Sequence, residues 1–116
     1  MREADEQEAL MQWAAVQSCK WPELQLLHHI PNGGKRNAAE AAHFKRLGVK
    51  PGVPDLCLPV PRQGYHGLYI EMKCGRGKLS DCQREWLQAL REQGYCCIVS
   101  YSWTDAAKQI EAYLRG

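Results

Sequence analysis

No apolar run in the sequence approaches the roughly 20 residues that a membrane-spanning helix needs, so a helical membrane protein is excluded. No internal repeat and no low-complexity linker divides the chain, which leaves a single domain over residues 1–116 as the expected organisation. Six cysteines are present, yet Cys19, Cys57, Cys74, Cys82, Cys96 and Cys97 contain no C-x-x-C pair, and without ligand spacing no structural zinc is expected. The polar, acidic opening MREADEQEAL has the character of neither a signal peptide nor a transit peptide, so a cytoplasmic protein with reduced thiols is expected. Cys96 and Cys97, adjacent in an apolar strand-like run, read as small buried hydrophobes.

What is present is ordinary in bulk and uneven in detail. Hydrophobic residues make up 45% and charged residues 24%, the usage of a folded globular domain. The net charge of +2 conceals a basic middle: residues 28–79 hold nine Lys or Arg against three Asp or Glu. Both flanks are slightly acidic. Two of the three acids in the middle are Asp55 and Glu71, and a basic surface around a few carboxylates suits a phosphate-bearing partner.

The residue pattern predicts a first helix from about Asp5 to Ser18, ended by Pro22, and then a strand over Glu23–Ile30 closed by the breakers PNGG. A short helix from about Asn37 to Leu47 has Asn37 as N-cap and Gly48 as its stop. Leu56–Val60 and Gly67–Lys73 read as two strands of a hairpin. Ser80 and Gln83 form a capping box that opens the clearest helix, with Cys82, Trp86, Leu87 and Leu90 as its apolar stripe and Gly94 at its end. Tyr95–Tyr101 reads as a strand buried at a sheet's centre. Thr104 is the expected cap of a last helix reaching Leu114. This order predicts an α/β fold with a mixed central sheet flanked by helices.

Residues i and i+2 of a strand share a face, so Glu71 and Lys73 lie together while Met72 points away. The hairpin brings Asp55 beside them. Two carboxylates and a lysine at one strand end need compensation, because an unpaired buried charge costs several kcal/mol. One solution is an ion pair at a sheet edge. The other is a divalent cation, since hard Mg²⁺ accepts carboxylate oxygens, a backbone carbonyl and waters. Beside such an ion Lys73 can orient water or stabilise developing negative charge. Its carboxylate neighbours oppose a role as general base.

Pro54-Asp55 followed by Glu71-Met72-Lys73 resembles the signature of the PD-(D/E)xK nuclease superfamily, whose restriction-endonuclease-like core the predicted elements match. Gln83 corresponds to a glutamine that several branches place near the site. Over nearly its whole length the chain more closely resembles the VRR-NUC family, through HHIPNGGKR, LGVKPGVPDLCLP, YHGLYIEMK and GKLSDCQREWLQALREQGY. The resemblance implies a Mg²⁺- or Mn²⁺-dependent endonuclease with Asp55, Glu71, Lys73 and Gln83 in its site. A first-helix glutamate completes the metal set; it is matched to Glu8, with Glu3 and Glu6 as rivals, beside Asp55, Glu71 and the backbone of Met72. Small standalone members, from bacteria and phages, resemble Holliday-junction resolvases and act as homodimers on branched DNA, which implies the cytoplasm of a bacterial or phage-infected cell.

Two loops carry the expected DNA contacts. Asn32, Gly33, Gly34, Lys35 and Arg36 offer close backbone approach and cations, and Arg76 and Lys78 stand ahead of a helix N-terminus that favours an anion. His28 and His29 face opposite ways on a strand, one toward the core, so one at most supports the site. Two other readings compete with the resolvase-like one: a non-catalytic DNA-binding subunit, or a nuclease for flaps or nicked DNA. A structural domain in which the charged residues merely pair accounts for neither the basic surround nor the glycine-rich loops.

Overall fold

The computed structural model describes residues 2–32 and 37–116. Gly33, Gly34, Lys35 and Arg36, expected in DNA contact, lie outside the described residues. Among the described residues the helices are α1 (Glu3–Gln17), α2 (Ala38–Arg46), α3 (Asp81–Glu92) and α4 (Trp103–Arg115), with a 3-10 turn over Pro22–Leu26. The strands β1 (His28–His29), β2 (Leu56–Leu58), β3 (Leu68–Met72) and β4 (Cys96–Ser100) form one sheet in that order. β1 pairs with β2 and β2 with β3 antiparallel, whereas β4 joins β3 in parallel, so the sheet is mixed as expected.

Alternation along the strands decides which face is core. Leu56 and Leu58 of β2 and Leu68, Ile70 and Met72 of β3 are buried together with Leu10 and Ala14 of α1 and with Ala106, Ala107, Ile110, Tyr113 and Leu114 of α4. Tyr69, Glu71 and Lys73 therefore face the opposite side of the sheet. Tyr113 reaches across to donate to the Val60 carbonyl at 2.6 Å, tying α4 to the end of the hairpin's first strand.

The caps explain where the helices begin. Asn37 accepts from the Glu40 N–H at 2.8 Å, and Gly48 follows α2 at φ +100, a region in which glycine escapes the steric penalty of a side chain. Ser80 and Gln83 make the reciprocal capping box of α3.

Five expectations are corrected. The segment Glu23–Ile30 is mostly not strand: Pro22 opens a 3-10 turn whose Leu24 and Leu27, three apart, are both buried, leaving His28 and His29 as the strand. Neither histidine enters the core; both are exposed. β4 is an edge strand, not a central one. Finally, Ser102 rather than Thr104 caps α4, accepting from the Asp105 N–H. On α3 only Leu87 is buried, so Trp86, placed on the stripe, is half-exposed and outside the core.

Candidate active site

Three chain segments meet where β1 ends, β2 begins and β3 ends. The register pairs Leu56 with Ile70, which sets Asp55 opposite Glu71. The Lys73 N–H donates to the Ser100 carbonyl of β4, so the Met72 N–H points the other way, toward β2. There it donates to Asp55 Oδ2 at 2.8 Å, and the carboxylate takes the place of a ladder carbonyl. Asp55 is further fixed through its own carbonyl, which accepts from the Ile30 N–H at 2.8 Å.

Glu71 is 1% exposed and Lys73 7%. The Gln83 amide donates to Glu71 Oε2 at 3.3 Å while its oxygen accepts from the Ser80 N–H, so one side chain caps α3 and holds a site carboxylate. Glu71 Oε1 is buried with no hydrogen-bond partner among the described residues. Burial, then the neighbouring Asp55 charge, pushes the Glu71 carboxyl up to about 9; Lys73 pulls it back only in part, and Glu3 adds to the rise. Two adjacent carboxylates with too little positive charge and one orphaned oxygen are chemically fitted to a hard divalent cation. Among the described residues no group of three or more His, Cys, Asp or Glu forms a ready-made cage. Mg²⁺ does not demand one, because it is commonly held by one or two carboxylates, with waters and substrate phosphate completing its shell.

Of the three first-helix acids, Glu3 is the one whose charge is felt at Glu71. Glu3 raises Glu71, and its Oε2 lies 3.5 Å from where a Cβ on Gly77 would stand, as does Lys73 Cδ. Both Glu3 and Glu8 are exposed, and Glu8 lines a cleft with Gln7, Met11 and His29. Helical geometry gives the reason: Leu10 and Ala14 mark the inward face, and Glu3, seven residues before Leu10, lies on it while Glu8 does not. Glu6 is buried but already engaged, its Oε1 accepting from the Trp103 N–H at 2.8 Å.

His29 is the neighbour that sequence left undecided. Its Nδ1 lies 2.8 Å from the Asp55 carbonyl and 3.2 Å from the Gln7 amide, joining α1 to the strand that carries the carboxylate. His28 instead meets the Leu26 carbonyl at 2.9 Å. The pairing of β1 with β2, invisible before the register is known, is what separates the two.

Gly52 locks the lead-in to Asp55 against α3. It sits at φ +87, and a Cβ there would meet the Cys82 Cβ at 2.6 Å. Arg76 and Lys78 are exposed on the loop after β3, where the Tyr101 hydroxyl donates to the Gly77 carbonyl at 2.9 Å. Asn32 lines a cavity with Phe44, Lys45 and Lys50. On the same sheet face burial pushes the Cys57 thiol up and Cys97 up to about 11, so neither is a thiolate at neutral pH, in keeping with buried structural cysteines.

A mixed four-stranded sheet flanked by helices, with carboxylates gathered at its strand ends, matches the restriction-endonuclease-like class of nuclease fold. The VRR-NUC domain model matches residues 1–103, and the chain belongs to the VRR-NUC family. A solved structure titled "VRR_NUC domain protein" is similar, with 35% identity and a TM-score of 0.84 over 99% of this chain and 89% of that one. Among curated proteins none matches. The family implies a nuclease, with DNA as its substrate.

Proposed function

We propose that the chain is a Mg²⁺- or Mn²⁺-dependent endodeoxyribonuclease of the PD-(D/E)xK type, acting as a homodimer on branched DNA in the manner of a Holliday-junction resolvase. The observation that carries the catalytic part is the buried, partnerless Glu71 Oε1 beside Asp55. Asp55, Glu71, Glu3 and the Met72 carbonyl are the residues that would hold the ion. Bound there, the ion supplies a lowered pKa for water and neutralisation of charge on the phosphodiester.

The chain's own groups do the rest. Met72 N–H holds Asp55 and the Gln83 amide holds Glu71, so neither carboxylate has to reorganise when substrate arrives. Lys73, on the same face as Glu71, orients the attacking water and stabilises charge developing on the phosphate. Arg76 and Lys78 meet the DNA backbone next to the scissile position. The dimeric, junction-directed part rests on the likeness to small standalone members and on symmetry, since two strands of a junction present equivalent targets to two subunits. A location in the cytoplasm follows the same likeness.

Cleavage of a labelled four-way junction tests this, run beside linear duplex, flap and single strand with Mg²⁺, Mn²⁺ or EDTA. Metal-dependent symmetric nicks that disappear in Lys73→Ala are the expected result. Junction binding with no cleavage of any substrate would make the chain a non-catalytic binding subunit. Preference for the flap would move it to a repair nuclease of that kind.

A further inference from the structure

We infer that α2 and the loop after it form a second DNA-binding surface, an arm that grips duplex backbone away from the scissile phosphate through Lys45, Arg46 and Lys50. This rests on the nuclease reading for the identity of its partner, DNA.

None of the nine residues of α2 is buried, and no other helix or strand packs closely against it among the described residues. An isolated helix of this length is marginal in water, roughly 12–15 residues being needed even for good formers. Its Asn37 cap supports the start. Its composition says what it meets. The last turn and the loop after it carry His43, Lys45, Arg46 and Lys50, against a single acid, Glu40, which accepts from the Asn37 side chain at 2.8 Å at the other end of the helix. Elsewhere Arg2, Arg62, Arg84 and Arg115 pair with carboxylates. Among the described residues Lys45, Arg46 and Lys50 pair with none, and all three are exposed.

Topology aims this charge. The excursion that contains α2 departs after His29 and returns at Asp55, the two residues joined by the 2.8 Å contact at the site. The loop with Arg76 and Lys78 departs from the end of β3 on the same side of the sheet. Both basic segments are therefore connected to the chain at the sheet end that carries the carboxylates. The nine residues of α2 span about 13 Å, so its basic last turn and Lys50 offer cations to duplex backbone beside the site rather than at the scissile phosphate itself. A second copy of this chain fits the surface poorly, because a two-fold contact there would set like charges against each other.

The test is DNA binding by the combined variant Lys45→Gln/Arg46→Gln/Lys50→Gln against wild type, on a labelled duplex and a labelled junction over a range of salt. Each lost phosphate contact lowers the slope of log K against log salt by about 0.9, so a fall of roughly 2 to 3 is expected, with affinity down about tenfold or more. Lys50→Gln alone, outside the helix, lowers the slope by about 0.9 even if the triple variant fails to fold. Wild-type slope and affinity in the variants overturn the inference and leave the nuclease reading intact. An unchanged slope with a changed sedimentation mass also overturns it, and assigns α2 to contact between copies. A wild type that binds through these residues and cleaves nothing keeps the arm and removes the nuclease. A wild type that binds no DNA removes both.

Discussion

Asp55 Oδ2 accepts the Met72 N–H at 2.8 Å, so the side chain just before β2 completes the backbone ladder of β3 between Glu71 and Lys73. The position of the carboxylate is thereby set by sheet pairing instead of by rotamer preference alone. An acid that could have swung free is built into the sheet.

Asp55→Asn separates its two roles. The asparagine oxygen still accepts from Met72, and the repulsion with Glu71 is gone. Cleavage is expected to fall by about a hundredfold or more with loss of a charged ligand, while the melting temperature of metal-free protein holds or rises. Asp55→Ala, which strands the Met72 N–H, is expected to cost about 1–3 kcal/mol in denaturant unfolding.

Glu3→Gln and Glu8→Gln distinguish the two candidate acids on α1. With Glu3 directed at the site, its neutral form raises the Mg²⁺ concentration needed for half-maximal cleavage. The Glu8 variant leaves that concentration as in wild type. A reversed pattern in metal titrations of cleavage rate would restore Glu8 to the metal set.

Glu71 gives metal-free protein a pH-dependent stability of defined sign. Its carboxyl rises from an ordinary 4.5 to about 9 on folding, so the folded state holds the proton more tightly. That contribution is complete below about pH 4.5 and is lost as pH climbs toward about 9. Thermal melts in EDTA are expected to fall between about pH 6 and about pH 9, and the slope to flatten in Glu71→Gln. Mg²⁺ is expected to restore the melting temperature most at the alkaline end, where the carboxylate is free to take it.

Much of this was legible from sequence because it rests on short-range chemistry. The Ser80–Gln83 capping box, the Asn37 cap and the hairpin bringing Asp55 to Glu71 are each written within a few residues or in one alternating run. What escaped depends on packing. Glu23–Ile30 contains a strand-like alternation, and only the burial of Leu24 with Leu27 shows a tight turn. Cys96–Ser100 reads as a central strand because α3 and α4 both pack beside it, although the sheet ends there. The choice between Glu3 and Glu8 turns on the rotation of α1, which Leu10 and Ala14 already encode once they are read as its inward face. The partner of His29 lies 26 residues along the chain and needed the β1–β2 register.

Gly52 against Cys82 leaves no slack between the lead-in to Asp55 and the first turn of α3. Lead-in and helix are jointed like parts of one casting, so the carboxylate and the glutamine that steadies its neighbour are placed through a single contact. Distortion that a bound DNA imposes is then expected to fall outside this joint, so that the cutting centre keeps its shape.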